Sequence, residues 1–440
     1  MKIGFIFPSS HYLHDPFRGD PHTHFHLLTI LEDRFGDELE LELIDLRGIA
    51  LDFATYHIPE CDLFLHSTYT LDWDEHDDLV CKLRELYPKA LHVAGGPSVH
   101  FDKKASLALF DSVVLGEGEE PVIQIIEDIR ANKLQRLYEQ KTSTDLNLYP
   151  VPRRNFLPKS TVARPGLMSL KQTPGYEKLL GTTVVFSRGC PYKCQFCAMP
   201  EVKMYSPGIR YRSPELIEAE ITYLQREFGI EGISLADEIA IPLSRDKAIP
   251  HLEAVGRTGI TWRGQCRVDF MTPELAKLTR DSGCVTLGLG VESVNQASLD
   301  AVNKGINLDQ TRQTILYLKE AGIEVRIYMI VGLPGEQDDV VEKTWSFVQE
   351  TEPDLVYLSI FTPRPGTDIY RNPERFGIAH IDPDMGKTMH MYGRYEKEEP
   401  IVNFEYAKET KWGPGQSNER IIANYKELQG RLGQAGLRAM

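Results

Sequence analysis

The chain has 440 residues, a length that predicts two large domains and a small third unit. Hydrophobic residues make up 42% of the sequence and charged residues 26%, which is usual for a globular protein with a sizeable core. The formal net charge of -15 argues against a protein that binds nucleic acid by neutralising its phosphates.

The first residues, Met1–Phe7, have the pattern of a β-strand and lack the apolar segment and cleavage site of a signal peptide. No apolar run approaches the roughly 20 residues that a membrane span requires. Seven cysteines, three of them clustered, favour a reducing compartment and a metal site over a disulfide framework. We therefore expect a cytoplasmic protein with no membrane or nucleic-acid partner.

Residues 1–130 alternate between strand and helix patterns, with strands predicted over 2–8, 39–45, 61–67, 90–94 and 112–115 and helices over 23–35 and 74–86. This alternation predicts a doubly wound parallel sheet of the α/β class, which binds ligands at the carboxyl ends of its strands. Glycines follow two of those strands, Gly95 with Gly96 and Gly116 with Gly118, and would let a ligand approach the backbone closely.

The order of strand, Gly-Gly-Pro, strand, Gly-Glu-Gly-Glu and helix resembles the cobalamin-binding domain that precedes many radical S-adenosylmethionine (SAM) domains. The resemblance implies a Rossmann-like fold with cobalamin near these glycines. Cobalamin domains that ligate cobalt have Asp-x-His-x-x-Gly after the first strand, and the nearest match here, Asp20–Phe25, ends in phenylalanine. Many cobalamin-dependent radical SAM enzymes hold the cofactor without a protein ligand to cobalt, so occupancy stays open.

Histidines crowd the same segment, at positions 11, 14, 22, 24 and 26. One interpretation is a metal or cobalamin contact. A solvated loop and helix start is favoured, because histidines two residues apart on a helix cannot share a face.

Residues 131–181 lose the alternation and contain turn and linker sequences. From residue 182 the β/α alternation resumes. It predicts strands over 183–186, 232–235, 261–265, 285–290, 324–331 and 355–361, with helices such as 214–228, 272–282, 308–321 and 338–350. Six parallel strands make a partial (β/α)6 barrel, with its chemistry at the carboxyl ends of the strands. The expected domains are 1–130, a linker over 131–181, a barrel over 182–370 and a small helical C-terminal extension over 371–440.

Three cysteines, Cys190, Cys194 and Cys197, follow the first barrel strand with the spacing C-x3-C-x2-C. Three thiols in one loop can converge on one metal centre, and on a [4Fe-4S] cluster they would leave one iron open. A zinc site would need a fourth Cys or His nearby, and the loop has none. The spacing, with Phe196 before the third cysteine, resembles the radical SAM signature. The resemblance implies that the cysteines hold a catalytic [4Fe-4S] cluster to which SAM binds.

Polar or glycine-containing motifs follow the later strands in the order expected for radical SAM barrels. The resemblance implies SAM contacts from Phe196 and from residues at three strand ends, which are Asp237, Glu238, Glu292, Ser293, Gly332 and Leu333. Asp237 and Glu238 would accept hydrogen bonds from the SAM amino group or ribose. The Gly-Leu-Pro-Gly backbone would pair with adenine. Arg267 and Arg326 are candidate partners for the carboxylate of SAM or of a substrate.

Other residues have weaker assignments. Cys266 and Cys284 are expected to pack in the core rather than act as nucleophiles. Arg364 has two open roles, a substrate contact and a structural ion pair. Beyond Tyr370, His380, His390 and methionines 385, 389 and 391 suggest a lid, although irregular packing is favoured. Ser417 is expected to cap a final helix over 418–432.

These features predict a radical SAM transferase that acts on a small molecule, receives electrons from a donor such as flavodoxin or ferredoxin, and most plausibly transfers methyl through cobalamin. One alternative is cobalamin-independent transfer of another SAM fragment, such as 3-amino-3-carboxypropyl to arsenic in arsinothricin biosynthesis. Another is a non-catalytic iron–sulfur sensor. A tRNA methylthiolating enzyme is disfavoured, because only Cys61 and Cys81 precede the cluster loop and no basic RNA module follows.

Overall fold

A computed structural model describes residues 1–13, 15–171, 173–197, 208–384 and 400–438. His14, His390 and the three methionines of the predicted lid lie outside these ranges. The described chain divides into two compact units, the first containing residues 1–162 and 208–210 and the second the remainder. The predicted domain boundaries at 130, 181 and 370 stay predictions about independently folding domains. Within the described ranges, no helix has the length and apolar character needed to cross a bilayer.

Six parallel strands form the sheet of the first unit, in the order β2-β1-β3-β4-β5-β6. They are β1 (Lys2–Phe7), β2 (Glu40–Asp45), β3 (Leu63–Ser67), β4 (Leu91–Gly95), β5 (Ser112–Leu115) and β6 (Leu137–Glu139). The helices are α1 (His22–Phe35), α2 (Trp73–Leu86), α3 (Pro97–Phe101), α4 (Lys103–Leu109), α5 (Glu119–Arg130) and α6 (Lys159–Val162). The predicted doubly wound sheet is confirmed.

The central strands of this sheet are apolar and covered on both faces, as parallel sheets require. Every residue of β3 is buried, and Ile3, Phe5 and Ile6 of β1 are at most 2% exposed. The sixth strand, β6, lies within the predicted linker. It was missed because three residues are too short to show a strand periodicity.

The order of the strands defines a crevice in the first unit. From β1 the chain crosses through α1 to β2 on one side, and from β3 it crosses through α2 to β4 on the other. Since such crossovers are right-handed, α1 and α2 lie on opposite faces of the sheet. The carboxyl ends of β1 and β3 therefore frame the switch point at which doubly wound folds bind ligands.

The second unit also contains six parallel strands, and they pair in chain order. They are β7 (Gly181–Val184), β10 (Gly232–Leu235), β11 (Thr261–Cys266), β12 (Cys284–Glu292), β13 (Glu324–Val331) and β14 (Leu355–Ile360). Two short strands, β8 (Ser187–Arg188) and β9 (Arg210–Tyr211), lie between β7 and β10 in the sequence. The helices that follow are α7 (Pro214–Phe228), α8 (Arg245–Arg257), α9 (Pro273–Asp281), α10 (Gln296–Ala301), α11 (Leu308–Glu320), α12 (Val340–Thr351) and α13 (Asp368–Arg371). The partial (β/α)6 barrel is confirmed.

The sequence predicts a helical C-terminal extension, but the structure contains strands there as well as a helix. Two antiparallel pairs precede its helix, β15 (Ile378–Ile381) with β16 (Phe404–Tyr406) and β17 (Glu409–Thr410) with β18 (Gly413–Pro414). The final helix, α14 (Asn418–Gln434), begins after Ser417, whose Oγ accepts the Arg420 N–H at 3.3 Å. The predicted cap and helix are therefore confirmed.

Candidate active site

The three-cysteine loop is fixed by hydrogen bonds to the segment that follows α10. The Gln195 N–H donates to the Val302 carbonyl at 2.9 Å, and the Asn303 side chain donates to the Lys193 carbonyl at 3.0 Å. Within the loop, the Cys197 N–H donates to the Cys194 carbonyl at 3.2 Å. Cys194 is buried, whereas Cys190 and Cys197 are partly exposed. The loop therefore has a defined backbone with two thiols near its surface.

Two cations lie beside this loop. Arg267 Nη1 is 3.8 Å from Cys194 Sγ, and the guanidinium lies 3.5 Å from the centroid of the Tyr192 ring. Lys304 Nζ is 6.0 Å from the centroid of the Phe196 ring. Nearby positive charge and an N–H donor to sulfur both stabilise thiolates and a cluster bound by them. The electrostatic surroundings thus favour an anionic iron–sulfur centre.

The three cysteines provide the donor set of an iron–sulfur cluster. Among the described residues, no three His, Cys, Asp or Glu side chains converge as the ligands of a single metal ion would. In a [4Fe-4S] cluster each cysteine binds a different iron, so its thiolates stand farther apart than the ligands of one ion. Cys190, Cys194 and Cys197 provide three thiolates, as such a cluster with one open iron requires.

Asp237 and Glu238, which follow β10, both bond to the segment that leads into the loop. Asp237 is 1% exposed and accepts the Phe186 N–H at 3.2 Å and the Ser187 hydroxyl at 2.5 Å. Burial raises the pKa of Asp237 to about 7. Glu238 accepts the Gly189 N–H, and burial also raises its pKa. Their predicted contact with SAM stays a prediction, whereas the structure shows them holding the approach to Cys190.

Glu292 ends β12 in a left-handed backbone conformation, with φ +66°, where the strand register shifts. Its carboxylate pairs with Lys304 Nζ at 2.7 Å, and both side chains are nearly buried. A Cβ on Gly290 would lie 2.6 Å from Glu292 Oε1, so glycine at 290 makes room for this ion pair. Ser293 is also buried, and its Oγ accepts the Asn295 N–H at 3.1 Å.

Arg267 has a protein carboxylate as its partner. Its guanidinium donates to Asp269 at 3.0 Å from both Nε and Nη2, and Nη2 also donates to the Lys304 carbonyl at 2.9 Å. Arg267 is 6% exposed. The sequence predicts that a carboxylate of SAM or of a substrate pairs with Arg267. The structure instead places Arg267 between Asp269 and the Cys194 thiol.

The Gly332–Glu336 turn after β13 corrects the adenine prediction. The N–H groups of Gly332 and Leu333 both donate to the buried Glu336 carboxyl, the former at 2.9 and 3.0 Å. The Tyr406 hydroxyl donates to the Gly332 carbonyl at 2.9 Å. These two N–H groups already have a partner and are not available to adenine in this conformation, whereas a SAM contact from the rest of the turn stays a prediction. Burial raises the pKa of Glu336 to about 8.

Arg326 is not near the mouth of the barrel. It is the third residue of β13 and donates to Glu324 Oε1 at 2.8 and 3.0 Å and to the Ser169 carbonyl at 2.9 Å. The carboxyl end of β13 at Val331 is five residues, or roughly 16 Å, further along the strand. Its assignment to a SAM carboxylate was therefore wrong, because Glu324 at the opposite end of the strand already neutralises it.

The glycines of the first unit are required by the packing of the chain on itself. Gly96, with φ +99°, would place a Cβ 2.6 Å from the Thr68 carbonyl oxygen, and Gly116, with φ +96°, would place one against the Gln140 carbonyl. For Gly118 the nearest atom would be Leu27 Cδ1 at 3.1 Å, and for Gly95 a Val114 carbon at 3.7 Å.

The strand ends in the first unit nevertheless suit a broad, flat cofactor. The residues directly after β3, β4 and β5 are Thr68, Gly96 and Gly116, and none of them has a bulky side chain. These small residues lie at the edge of the sheet where doubly wound folds bind ligands. The predicted contacts of Gly95–Gly96 and Gly116–Gly118 with cobalamin stay predictions.

Sequence reasoning missed several residues that shape the site. Asp269 and Lys304 were not assigned roles, although their charges near the Arg267 and Glu292 motifs were a usable signal. Glu336 directly follows the Gly-Leu-Pro-Gly sequence, and this position next to the turn was a usable signal. Tyr406 offered no signal, because it lies 74 residues beyond the turn that it contacts.

Comparisons with known proteins agree with this geometry. Residues 184–348 match the family model of the radical SAM superfamily. The chain is 27% identical over 288 residues to the bacteriochlorophyllide d C-12(1)-methyltransferase of Chlorobaculum tepidum, covering 63% of this chain and 59% of that protein. It is 30% identical over 312 residues to the anaerobic magnesium-protoporphyrin IX monomethyl ester cyclase of Cereibacter sphaeroides, covering 65% of this chain and 49% of that protein. The chain therefore spans about half to three fifths of these two relatives.

Among solved structures, the radical SAM methyltransferase TsrM of Kitasatospora setae, with cobalamin and a [4Fe-4S] cluster bound, has a TM-score of 0.64 at 17% identity. The match covers 84% of this chain and 76% of that one, and shows a shared fold. A six-strand partial barrel with a three-cysteine loop after its first strand defines a radical SAM domain. Residues 184–348 thus form a radical SAM domain, and the chain shares the fold of this cobalamin-containing radical SAM methyltransferase.

Proposed function

We propose that the protein is a radical SAM transferase that methylates a small molecule with the help of cobalamin. The observation that supports this most directly is the loop of Cys190, Cys194 and Cys197, held in place against α10 with Arg267 beside Cys194. The small residues at the strand ends of the first unit support the cobalamin part. Methyltransferases among the relatives and structural neighbours support the type of reaction.

The three cysteines would hold a [4Fe-4S] cluster, and the open iron would bind SAM. When bound, these groups supply a 5′-deoxyadenosyl radical from SAM, and cobalamin supplies a carrier for methyl. The cluster site itself is stabilised by Arg267 and Lys304, whose charges offset those of the thiolates. A small-molecule substrate, a low-potential electron donor such as flavodoxin or ferredoxin, and a cytoplasmic location complete the proposal.

Other residues of the barrel act as positioning groups in this proposal. Asp237 and Glu238 hold the segment 186–189, so Cys190 keeps its place relative to β10. Glu336 and Tyr406 fix the turn after β13 from its two sides. Preorganised contacts of this kind lower the cost of arranging SAM for reaction.

The test is an anaerobic reconstitution with iron and sulfide, followed by incubation with hydroxocobalamin and desalting. We expect about one cobalt per chain, together with the absorption of an iron–sulfur cluster, and cleavage of SAM after reduction. A cluster without retained cobalt would refute the cobalamin part. Absence of SAM cleavage by a fully reconstituted cluster would refute the transferase and favour an iron–sulfur sensor.

A second candidate is cobalamin-independent transfer of a different SAM fragment, such as 3-amino-3-carboxypropyl to arsenic. It is favoured by one departure from cobalt-ligating domains, the phenylalanine at position 25 in place of glycine. The fragments distinguish the two candidates. Methyl transfer yields S-adenosylhomocysteine or 5′-deoxyadenosine with methionine, whereas 3-amino-3-carboxypropyl transfer yields 5′-methylthioadenosine.

A further inference from the structure

We propose that Tyr192 is a positioning residue for the cluster. Its ring, together with Asp269, holds the Arg267 guanidinium beside Cys194 and thereby sets the potential at which the cluster accepts an electron. This inference rests on the cluster part of the proposed function, because only a bound cluster has such a potential. It concerns a residue of the cysteine loop that is neither a predicted ligand nor a predicted SAM contact.

Arg267 is anchored on one edge by Asp269. The carboxylate accepts from Nε at 3.0 Å and from Nη2 at 3.0 Å, a two-point contact that fixes the plane of a guanidinium. The Gln310 side chain, in α11, donates to the Asp269 carbonyl at 2.8 Å. Thr314 of the same helix donates to the Val268 carbonyl at 2.7 Å. Asp269 is therefore fixed through its own backbone, and it fixes the guanidinium in turn.

The rest of the guanidinium meets the cysteine loop and the segment behind it. Nη1 lies 3.8 Å from Cys194 Sγ, and Nη2 donates to the Lys304 carbonyl at 2.9 Å. The guanidinium carbon is 3.5 Å from the centroid of the Tyr192 ring, so the ring covers one face of the cation. Tyr192 is two residues before Cys194 in the same loop. The ring that covers the cation is thus joined by a short piece of backbone to the thiol that the cation faces.

The contact between Tyr192 and Arg267 is one that stabilises a defined position. A guanidinium over an aromatic ring is attracted by the negative face of the ring, and the attraction is strongest where water is excluded. Arg267 is 6% exposed. Because the ring occupies a face while Asp269 and the Lys304 carbonyl occupy edges, the guanidinium can leave Cys194 only by giving up one of these contacts.

Phe196, the other aromatic residue between Cys190 and Cys197, has a looser contact. Its ring centroid is 6.0 Å from Lys304 Nζ, at the limit of a cation–π interaction. Lys304 Nζ is also paired with Glu292 at 2.7 Å. Of the two rings in the loop, Tyr192 is therefore the one that holds a cation against a cluster thiol.

The arrangement predicts shifts of opposite sign from two changes. Reduction adds a negative charge to the cluster, so a nearby cation favours the reduced state and a nearby carboxylate opposes it. Asp269 offsets part of the charge that Arg267 presents to Cys194. Removing the carboxylate charge should therefore raise the potential, whereas loosening the guanidinium should lower it.

The experiment is a redox titration of the full-length, reconstituted protein without SAM, followed by the electron paramagnetic resonance signal of the reduced cluster. Tyr192→Leu should make reduction about fivefold less favourable, which is about 40 mV more negative at about 59 mV for each factor of ten. Asp269→Asn keeps an oxygen as acceptor for Arg267 and should make reduction about tenfold more favourable, or about 59 mV more positive.

Two control variants isolate the ring and the charge. Tyr192→Phe keeps the ring and should keep the potential of the unchanged protein. Asp281→Asn removes a surface carboxylate that pairs with Lys277 at 3.3 Å. Asp281 lies three residues before β12 begins, at the amino ends of the barrel strands, so its loss should also leave the potential unchanged.

A double variant tests whether Tyr192 acts through Arg267. In an Arg267→Met background the ring has no guanidinium to hold, so adding Tyr192→Leu should cause no further shift. An equal shift in both backgrounds would show that the ring acts on the cluster directly, by excluding water, and would overturn the inference.

Other results overturn it as well. They are a Tyr192→Leu potential equal to that of the unchanged protein, a Tyr192→Phe shift as large as that of Tyr192→Leu, and a shift of Asp269→Asn to more negative values. If Tyr192→Leu binds no iron, Tyr192→Met, which fills the space without a ring, takes its place in the same titrations. A reconstituted protein that shows these shifts but cleaves no SAM would refute the transferase alone, whereas a protein that holds no cluster would refute both.

Discussion

Each unit is built on six parallel strands, a doubly wound sheet in the first and a partial barrel in the second, and the residues at the carboxyl ends of the strands differ. In the first unit the strand ends carry small residues, and the glycine turns pack on the chain itself. In the second unit they carry charged side chains that pair with one another around the cysteine loop. The comparison fits the proposed function, in which the first sheet would hold cobalamin and the second unit would supply the charges around a cluster and SAM.

Both units bury ion pairs, and the first also buries a cluster of imidazoles. The first unit contains three histidines in contact, with His66 Nδ1 3.2 Å from His76 Nδ1 and His66 Nε2 3.2 Å from His92 Nδ1. The second unit buries ion pairs such as Lys304 with Glu292 and Arg326 with Glu324. The imidazole rings are neutral in the folded first unit and take up protons when acid unfolds it. The paired side chains of the second unit are already charged in the folded state.

The largest expected effect is the loss of the cluster in the second unit. Cys194→Ala should abolish SAM cleavage, because a cluster with two cysteine ligands is not retained. Iron content and 5′-deoxyadenosine formation measure this. Cys266→Ala is the matched control: Cys266 is 5% exposed, burial raises the pKa of its thiol to about 12, and it should keep the iron. SAM cleavage by the Cys194 variant would show that the loop is not the cluster site.

Acid should unfold the first unit before the second. Burial lowers the pKa of His76 and His92 to about 4 and that of His66 well below its usual value. Since these folded pKa values lie below the unfolded value near 6.5, the unfolded state binds more protons, and stability falls as pH drops from 6.5 towards 4. Each pKa shift of this size changes the free energy of unfolding by at most about 3 kcal/mol between high and low pH. Asp72, whose pKa burial raises, opposes part of the loss.

Hydrogen exchange at pH 7 and pH 5 measures this difference for each unit. We expect protection in β3 and β4 to fall more than protection in β12 and β13. Equal losses in the two sheets would contradict the role of the histidines.

Replacing Arg267 should change the cluster without removing it. Arg267→Met removes a positive charge 3.8 Å from Cys194 Sγ, which is worth about 1 to 4 kcal/mol between bulk water and a protein surface. The reduced, more negative cluster loses more stabilisation, so the midpoint potential should become more negative. Arg263→Met, on the preceding strand, is the control. An unchanged potential would mean that Arg267 acts only through Asp269.

The smallest expected effect concerns the turn after β13. Tyr406→Phe removes one hydrogen bond to Gly332, worth about 1 kcal/mol, so the Kd for SAM should rise about fivefold with iron content unchanged. Tyr425→Phe, in α14, removes a hydroxyl that bonds to Gln429 and should have no effect on SAM. A SAM affinity that is the same in both variants would exclude this turn from the SAM site.

Sequence patterns identified what is local. Strand and helix periodicity located most elements to within a few residues, and the cysteine spacing located the cluster loop. Contacts between residues distant in the sequence could not be predicted. The residues around Gly332 give no sign of its contact with Tyr406, and those around His11 give no sign of its contact with Glu75. Arg326 was misassigned because alternation gives the face of a strand, whereas function also depends on the distance from its carboxyl end.

The histidines in the core of the first unit have one more property. A neutral imidazole holds a single ring proton, yet His66 faces a ring nitrogen at each of its own two nitrogens. If it donates towards His92 it must accept from His76, and the opposite choice reverses both bonds. The tautomers of the three rings are therefore coupled, because the ring proton of His66 sets the direction of both hydrogen bonds.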